Sequence, residues 1–197
     1  MSDYHPKISK ERLFYFEQQE IVLSDFSSPG HILDIGGGGE GIIGQLKTEK
    51  VISIDSNKRE LEEAPGGPLK IVMDAADLRF LDRAFSVATS FVALTYIESD
   101  RHRKVFEEVF RVLVPGGRFL IWEMVFPKRT DDERDIAVLP LVVKLPQGKE
   151  ISAEYGVPWP AEGREIAYYL HLAVEAGFEV VSQTGKGQLV SLELRKP

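Results

Sequence analysis

The chain has 197 residues, 43% hydrophobic and 28% charged, the make-up of a soluble globular protein of one domain's size. A formal net charge of -7 disfavours a surface that wraps nucleic acid, because displacing phosphate counterions takes clustered Lys and Arg. The absence of cysteine excludes a disulfide framework, a thiolate nucleophile and a thiolate metal site, and makes reducing cytoplasm the expected compartment. Neither a signal peptide nor an apolar run of roughly 20 residues is visible, so no membrane contact is expected.

The first readable element is a polar but amphipathic stretch from Ser9 to Phe26, which predicts a helix ending at the turn signal Ser27-Ser28-Pro29-Gly30. Residues 1–29 are thus expected to form a helical lid. Short apolar runs of strand length follow: HILDI at 31–35, VISID at 51–55, LKIVM at 69–73, SVATSFV at 86–92 and RFLIWEMV at 118–125. They suit buried parallel strands. Between them, Ser99 to Leu113 reads as a helix with Ser99 placed to cap, and with Phe106, Val109, Phe110 and Leu113 on one face. Pro115, Gly116 and Gly117 are expected to stop it.

Beyond the fifth run the alternation breaks. In the interval 127–162, DIAVLPLVVKL and ISAEYGVPWP flank the turn PQGKE as an extra strand pair. Trp159 between prolines would anchor it as a substrate cap, with an oligomer contact as the alternative use. A helix from Glu165 to Ala176 ends at Gly177, and FEVVSQ and QLVSLELR then flank TGKG as a hairpin. Strands alternating with helices imply right-handed crossovers. The expected fold is a single α/β domain over 1–197: a Rossmann-like doubly wound sheet of about seven strands, mostly parallel with an antiparallel C-terminal strand, and helices on both faces. Any ligand belongs at the carboxyl ends of the strands, near the switch point.

The chemistry concentrates in HILDIGGGGEGIIG, residues 31–44. Gly36, Gly37, Gly38 and Gly39 remove four side chains in a row, more than a tight turn needs, and let the backbone approach a ligand closely. Gly36, Gly38 and Gly41 also satisfy G-x-G-x-x-G, which keeps an NAD(P)-dependent or flavin-dependent oxidoreductase open. Asp34, two residues before the first glycine, would repel a pyrophosphate yet hold the ammonium of an amino-acid moiety, or else cap the amides of the loop. Asp55, 21 residues after Asp34, can accept both ribose hydroxyls or cap the helix NKRELEEA. Asp74, in MDAADL, can accept from the amine of adenine with Ala75 and Ala76 beside the ring, or cap its own turn.

In LDIGGGGEG, VISIDSN, KIVMDAADLRFLDRAFSVATSFVALTYI and VFRVLVPGGRFLIWE the chain resembles class I S-adenosylmethionine-dependent methyltransferases, particularly the small type 11 group, over residues 31–125 and again in the final helix and hairpin. The resemblance implies that the glycine loop holds the methionine part, Asp55 the ribose, and Asp74 the adenine. Ser90 and Phe91, after the fourth strand, would line the cleft. The implied cofactor set is Asp34, Gly36, Gly37, Gly38, Asp55, Ser56, Asp74, Ala75, Ser90 and Phe91, with S-adenosylhomocysteine as product. Two residues depart from the family pattern: Glu40 stands at its last glycine, and Ser86 where an aspartate usually opens the fourth strand.

Methyl transfer is an in-line displacement for which alignment and exclusion of water supply most of the acceleration. Groups able to meet an acceptor are Thr95, Tyr96, Glu123 and the N-terminal aromatics Tyr4, Tyr15 and Phe16; Tyr96 is the choice for a hydrogen-bonding or positioning role. His5, His31, His102 and His171 show no metal spacing, so no metal site is expected. The reading is a methyltransferase acting on an unidentified small molecule. An NAD(P)-dependent oxidoreductase and a noncatalytic S-adenosylmethionine-binding protein stand as alternatives.

Overall fold

In the computed structural model, residues 9–130 and 133–197 are described. They form strands β1 (Leu13–Tyr15), β2 (Gln19–Val22) and β3 (Ile32–Ile35), helix α1 (Ile42–Lys47), β4 (Val51–Asp55), α2 (Lys58–Glu63), β5 (Leu69–Val72), β6 (Phe85–Phe91), α3 (His102–Val112), β7 (Leu113–Met124), β8 (Ile136–Lys144), β9 (Glu150–Pro158), α4 (Ile166–Glu175), β10 (Glu179–Lys186) and β11 (Leu189–Arg195). The chain divides into two compact units, one of residues 24–125 with 165–197 and the other of residues up to 23 with 126–164.

The larger unit holds a seven-stranded sheet in the order β5-β4-β3-β6-β7-β11-β10. From β5 to β7 the neighbours are parallel, and β11 runs antiparallel to both β7 and β10. This is the expected Rossmann-like sheet with its antiparallel C-terminal strand. Sequence order reverses between β3 and β6, so the switch point lies where the glycine loop leaves β3. Every residue of β3 is buried, as is nearly all of β6, which is why both read as continuous apolar runs rather than as alternating ones. Helix α3 buries Val105, Phe106, Val109 and Val112, one stripe at helical spacing, into a core with Phe119, Ile121 and Tyr169.

Two local expectations at α3 are corrected. Ser99 does not cap it; residues 99–101 form a single 3-10 turn, and the His102 amide is satisfied by the Ser99 carbonyl. Pro115, Gly116 and Gly117 do not stop it either, since the helix has already ended at Val112 and the three lie inside β7. There the pairing with β6 slips from Leu113 to Arg118, and Gly116 at φ +75° takes the left-handed turn of the irregularity.

The smaller unit corrects the N-terminal reading. Within Ser9–Phe26 there is no α-helix; a 3-10 turn at Lys10–Arg12 leads into β1 and β2. Both strands pair in parallel with β8, Leu13–Tyr15 against Ile136–Val138 and Gln19–Val22 against Leu141–Lys144. Aromatic and β-branched residues such as Phe14, Tyr15, Ile21 and Val22 suit a half-buried pleated surface, and the partner strand overrides the helical period. The strand pair expected at 135–160 is present as β8 and β9, antiparallel over Ile136–Lys144. Trp159 is buried, donates from Nε1 to the Pro127 carbonyl at 2.9 Å, and stacks at 4.9 Å and 5.3 Å on Phe14 and Phe16. Among the described residues no helix is long and apolar enough to cross a membrane, and no group of His, Cys, Asp and Glu could hold a metal ion.

Candidate cofactor site

The glycine loop follows β3 at the carboxyl edge of the sheet, and its shape is dictated by what stands behind it. A Cβ on Gly37 would lie 2.5 Å from Asp34 Oδ2 and 2.6 Å from Ser53 Oγ; one on Gly38 would lie 2.5 Å from the Glu60 Cβ and 2.9 Å from Asp55 Oδ2. Only glycine fits at either place. Gly36, at φ +67°, lies so close to Ala93 that a Cβ would meet the Ala93 side chain at 2.3 Å. The loop after β3 and the turn after β6 therefore touch with no side chain between them. Backbone bonds fix the loop, with the Gly37 amide on Ile54 O and the Gly39 amide on Glu60 O, both at 3.0 Å. Helix α1 starts only after Gly41, at φ +55°, and the chain passes Glu40 between left-handed turns at Gly39 and Gly41.

Asp34 is buried, and its Oδ1 accepts a 2.7 Å hydrogen bond from Thr89 Oγ1 on β6. Burial first, and the charge of Asp55 as a further cause, push its pKa up to about 7 despite that bond. Ser53 Oγ, on the same side of Gly37, has no protein partner. A buried carboxyl and an unsatisfied buried hydroxyl facing one glycine cradle are what an amino-acid ammonium needs.

Asp55 ends β4, half-buried, with the Asn57 amide on Oδ1 at 2.8 Å; burial raises its pKa above the ordinary carboxylate range. Helix α2 is capped by Asn57, whose side chain accepts from the Arg59 amide, so Asp55 is not the cap. Ser56 follows it, exposed. Glu60 on α2 is also shifted upward, by burial first and then by Asp55, Glu63 and Glu40.

Asp74 follows β5 and caps its own turn, accepting from the Ala76 amide at 2.9 Å. Its other oxygen meets the Arg101 guanidinium, and that contact holds its pKa below the usual range. Ala75 sits beside it, half-buried. Ser90 and Phe91 are buried at the end of β6, and the Ser90 hydroxyl has no protein partner. Past them Val92, a β-branched residue at φ 49°, sits in the left-handed region and donates to Trp122 O at 2.7 Å.

The turn 94–96 carries Thr95 and Tyr96. The Thr95 amide donates to Oε2 of the buried Glu123 at 3.3 Å, and its hydroxyl is buried without a protein partner. Tyr96 is 55% exposed overall, yet its phenol pKa is raised, by burial first and then by the charges of Glu123, Glu40 and Glu60. The edge of the sheet thus gathers Asp34, the glycines, Asp55, Thr95, Tyr96 and Glu123 within the larger unit. Tyr15 and Phe16 belong to the smaller unit, and Tyr4 and His5 lie outside the described residues.

Four participants escaped the sequence reading. Thr89 and Ser53 are set opposite Asp34 by strand register, which alone could have found them: Asp34 pairs with Ser53 on β4 and with Thr89 on β6. Glu60 and Arg101 depend on how short elements fold back toward the loop and Asp74.

Residues 33–121 match the family model described as a methyltransferase domain. Solved structures share the fold. An S-adenosylmethionine-dependent methyltransferase from Mesorhizobium loti is 16% identical with a TM-score of 0.61, covering 87% of this chain and 94% of its own. One from Methanosarcina mazei is 21% identical with a TM-score of 0.59 over 87% and 94%. A glycopeptide N-methyltransferase complexed with S-adenosylhomocysteine is 17% identical with a TM-score of 0.58 over 87% and 84%. No curated protein sequence matches the chain. Residues 33–121, which carry the glycine loop and the acids around it, are thus similar to the methyltransferase domain family of type 11, and the solved structures share its fold.

Proposed function

We propose that the chain moves the methyl group of S-adenosylmethionine to a small-molecule acceptor by direct in-line displacement. The observation that carries this reading is the charge behind the glycines: the carboxylates of Asp34, Asp55 and Glu60 crowd the loop. They suit a cationic amino-acid moiety and repel a pyrophosphate, which argues against the NAD(P)-dependent alternative. When bound, the sulfonium supplies an electrophilic methyl group and departs as the thioether of S-adenosylhomocysteine.

The protein's part is to bind and align. Asp34 takes the ammonium, with Gly36, Gly37 and Gly38 admitting the methionine backbone. Asp55, with Ser56, accepts the ribose hydroxyls. Asp74 and Ala75 meet the adenine, and Ser90 and Phe91 line the cleft. Tyr96, whose phenol keeps its proton at neutral pH, donates a hydrogen bond and positions the acceptor rather than acting as a base. An acceptor beside Tyr96 also faces the negative charge of Glu40, Glu60 and Glu123, which favours a neutral or cationic molecule over an anionic one.

The test is turnover. Protein incubated with S-adenosylmethionine carrying a labelled methyl group and a panel of amines, phenols and carboxylic acids should release S-adenosylhomocysteine in step with label on one acceptor class. Tight S-adenosylhomocysteine binding without label transfer across the panel would favour the noncatalytic binding protein instead.

A further inference from the structure

His102 is the first residue of α3, fully buried, and the chemistry proposed above makes no use of it. Its Nε2 lies 2.8 Å from Leu94 O and 3.0 Å from Ile97 O, and its Nδ1 lies 2.8 Å from the Tyr168 hydroxyl. Two carbonyls can only accept, so Nε2 carries a hydrogen and donates to both. In the neutral ring Nδ1 is then the acceptor for Tyr168 O–H. The Tyr168 hydroxyl also stands 3.2 Å from Ser99 O, and its ring meets the imidazole edge-on at 5.7 Å.

The two carbonyls bracket Thr95 and Tyr96. That segment has little structure of its own: Tyr96 N donates to Ala93 O and Ile97 N to Leu94 O, both at 3.1 Å, and the turn is three residues long. A single 3-10 turn is a weak element: Leu94 O takes the Ile97 amide within it, and the second lone pair of Leu94 O and the carbonyl of Ile97 are open to a donor from outside the turn. His102 supplies that donor from α3, and Tyr168 anchors His102 to α4. The turn is thereby held from behind by two helices, while Glu123 holds the Thr95 amide from β7.

We propose that His102, braced by Tyr168, is a positioning residue that fixes the turn 94–97 so that Tyr96 is presented to the acceptor in one orientation. The role in turnover rests on the placement of Tyr96 beside the acceptor; the clamp itself can be read without any acceptor.

Its test is the titration of Tyr96, followed by the 19F signal of 3-fluorotyrosine placed at position 96, in otherwise native protein, His102→Leu, His102→Gln and Tyr168→Phe. Burial and the charges of Glu123, Glu40 and Glu60 raise the phenol pKa where the turn now holds Tyr96, so freeing the turn in His102→Leu or Tyr168→Phe should move the ring toward solvent and lower the titration midpoint. S-adenosylhomocysteine affinity should stay within threefold, and His102→Gln, which keeps an N–H donor, should recover part of the shift. A merely structural histidine would lower the melting temperature and leave the midpoint where it was. An unmoved midpoint in folded His102→Leu overturns the proposal; if that variant does not fold, an unmoved midpoint in Tyr168→Phe, which keeps the ring, overturns it. Failure to bind S-adenosylhomocysteine in the unsubstituted protein would instead strike the methyl-transfer reading.

Discussion

Thr89 Oγ1 on β6 donates to Asp34 Oδ1 on β3 at 2.7 Å, across the two strands at which the sheet changes direction. The bond orients a carboxyl that burial has pushed up to about 7, leaving Asp34 poised between its two protonation states near neutral pH.

Cofactor binding should therefore depend on pH. An ammonium pairs with the ionised carboxyl, so Asp34 must lose its proton to bind, and S-adenosylhomocysteine affinity should fall about tenfold from pH 8 to pH 6. Asp34→Asn should bind more weakly at pH 8 and show a flat profile over that range. Calorimetric titrations at several pH values read both. The ligand-free protein gives the complementary sign: a carboxyl with a raised folded-state pKa binds more protons folded than unfolded, so its contribution favours folding at low pH and is lost as pH rises from the unfolded value of 3.8 through about 7. Denaturant melts of Asp34→Asn should lack that decline.

Gly37→Ala tests the fit of the loop. The new Cβ would meet two buried polar atoms, Asp34 Oδ2 at 2.5 Å and Ser53 Oγ at 2.6 Å, neither on a flexible chain end. Overpacking of this kind costs about 1–3 kcal/mol and should abolish S-adenosylhomocysteine binding. Gly30→Ala, with nothing within 4 Å of the added atom, serves as the neutral control in the same melts.

Asp55→Ala should weaken S-adenosylhomocysteine by about 1.5–3 kcal/mol, the usual worth of hydrogen bonds to a charged group, in protein that still folds. Helix α2 keeps its Asn57 cap in this variant, and circular dichroism should confirm an unchanged fold. Affinity equal to the unsubstituted protein would remove Asp55 from the site.

At Asp74 the contrast lies between two ligands. Asp74→Ala should cost S-adenosylhomocysteine about 1 kcal/mol while leaving S-inosylhomocysteine, which lacks the adenine amine, unaffected. Equal losses for both would make Asp74 a turn cap alone. Arg101→Gln should change stability by less than about 1 kcal/mol, since its pair with Asp74 is exposed on both sides.

The parallel sheet was legible because β3, β4 and β6 are buried runs of strand length separated by glycine and proline signals. The glycine loop was legible for a related reason: four consecutive side chains are missing where a backbone must pass close to Asp34, Ser53, Asp55 and Glu60. The N-terminus misled because Leu13–Tyr15 and Gln19–Val22 owe their conformation to β8, more than a hundred residues away, and local periodicity carries no trace of that partner. Ser99 looked like a cap by type, yet the chain meets the first amides of α3 with a 3-10 turn. The Thr89 bond and the His102 clamp needed strand register and helix placement, which no spacing in the sequence encodes.

The most direct measurement is calorimetric titration of the purified protein at pH 8 with S-adenosylhomocysteine and, in parallel, NADH. One-site binding of S-adenosylhomocysteine, lost in Gly37→Ala, and no heat from NADH are expected. Binding of NADH without S-adenosylhomocysteine would contradict the assignment of the glycine loop and the acids around it.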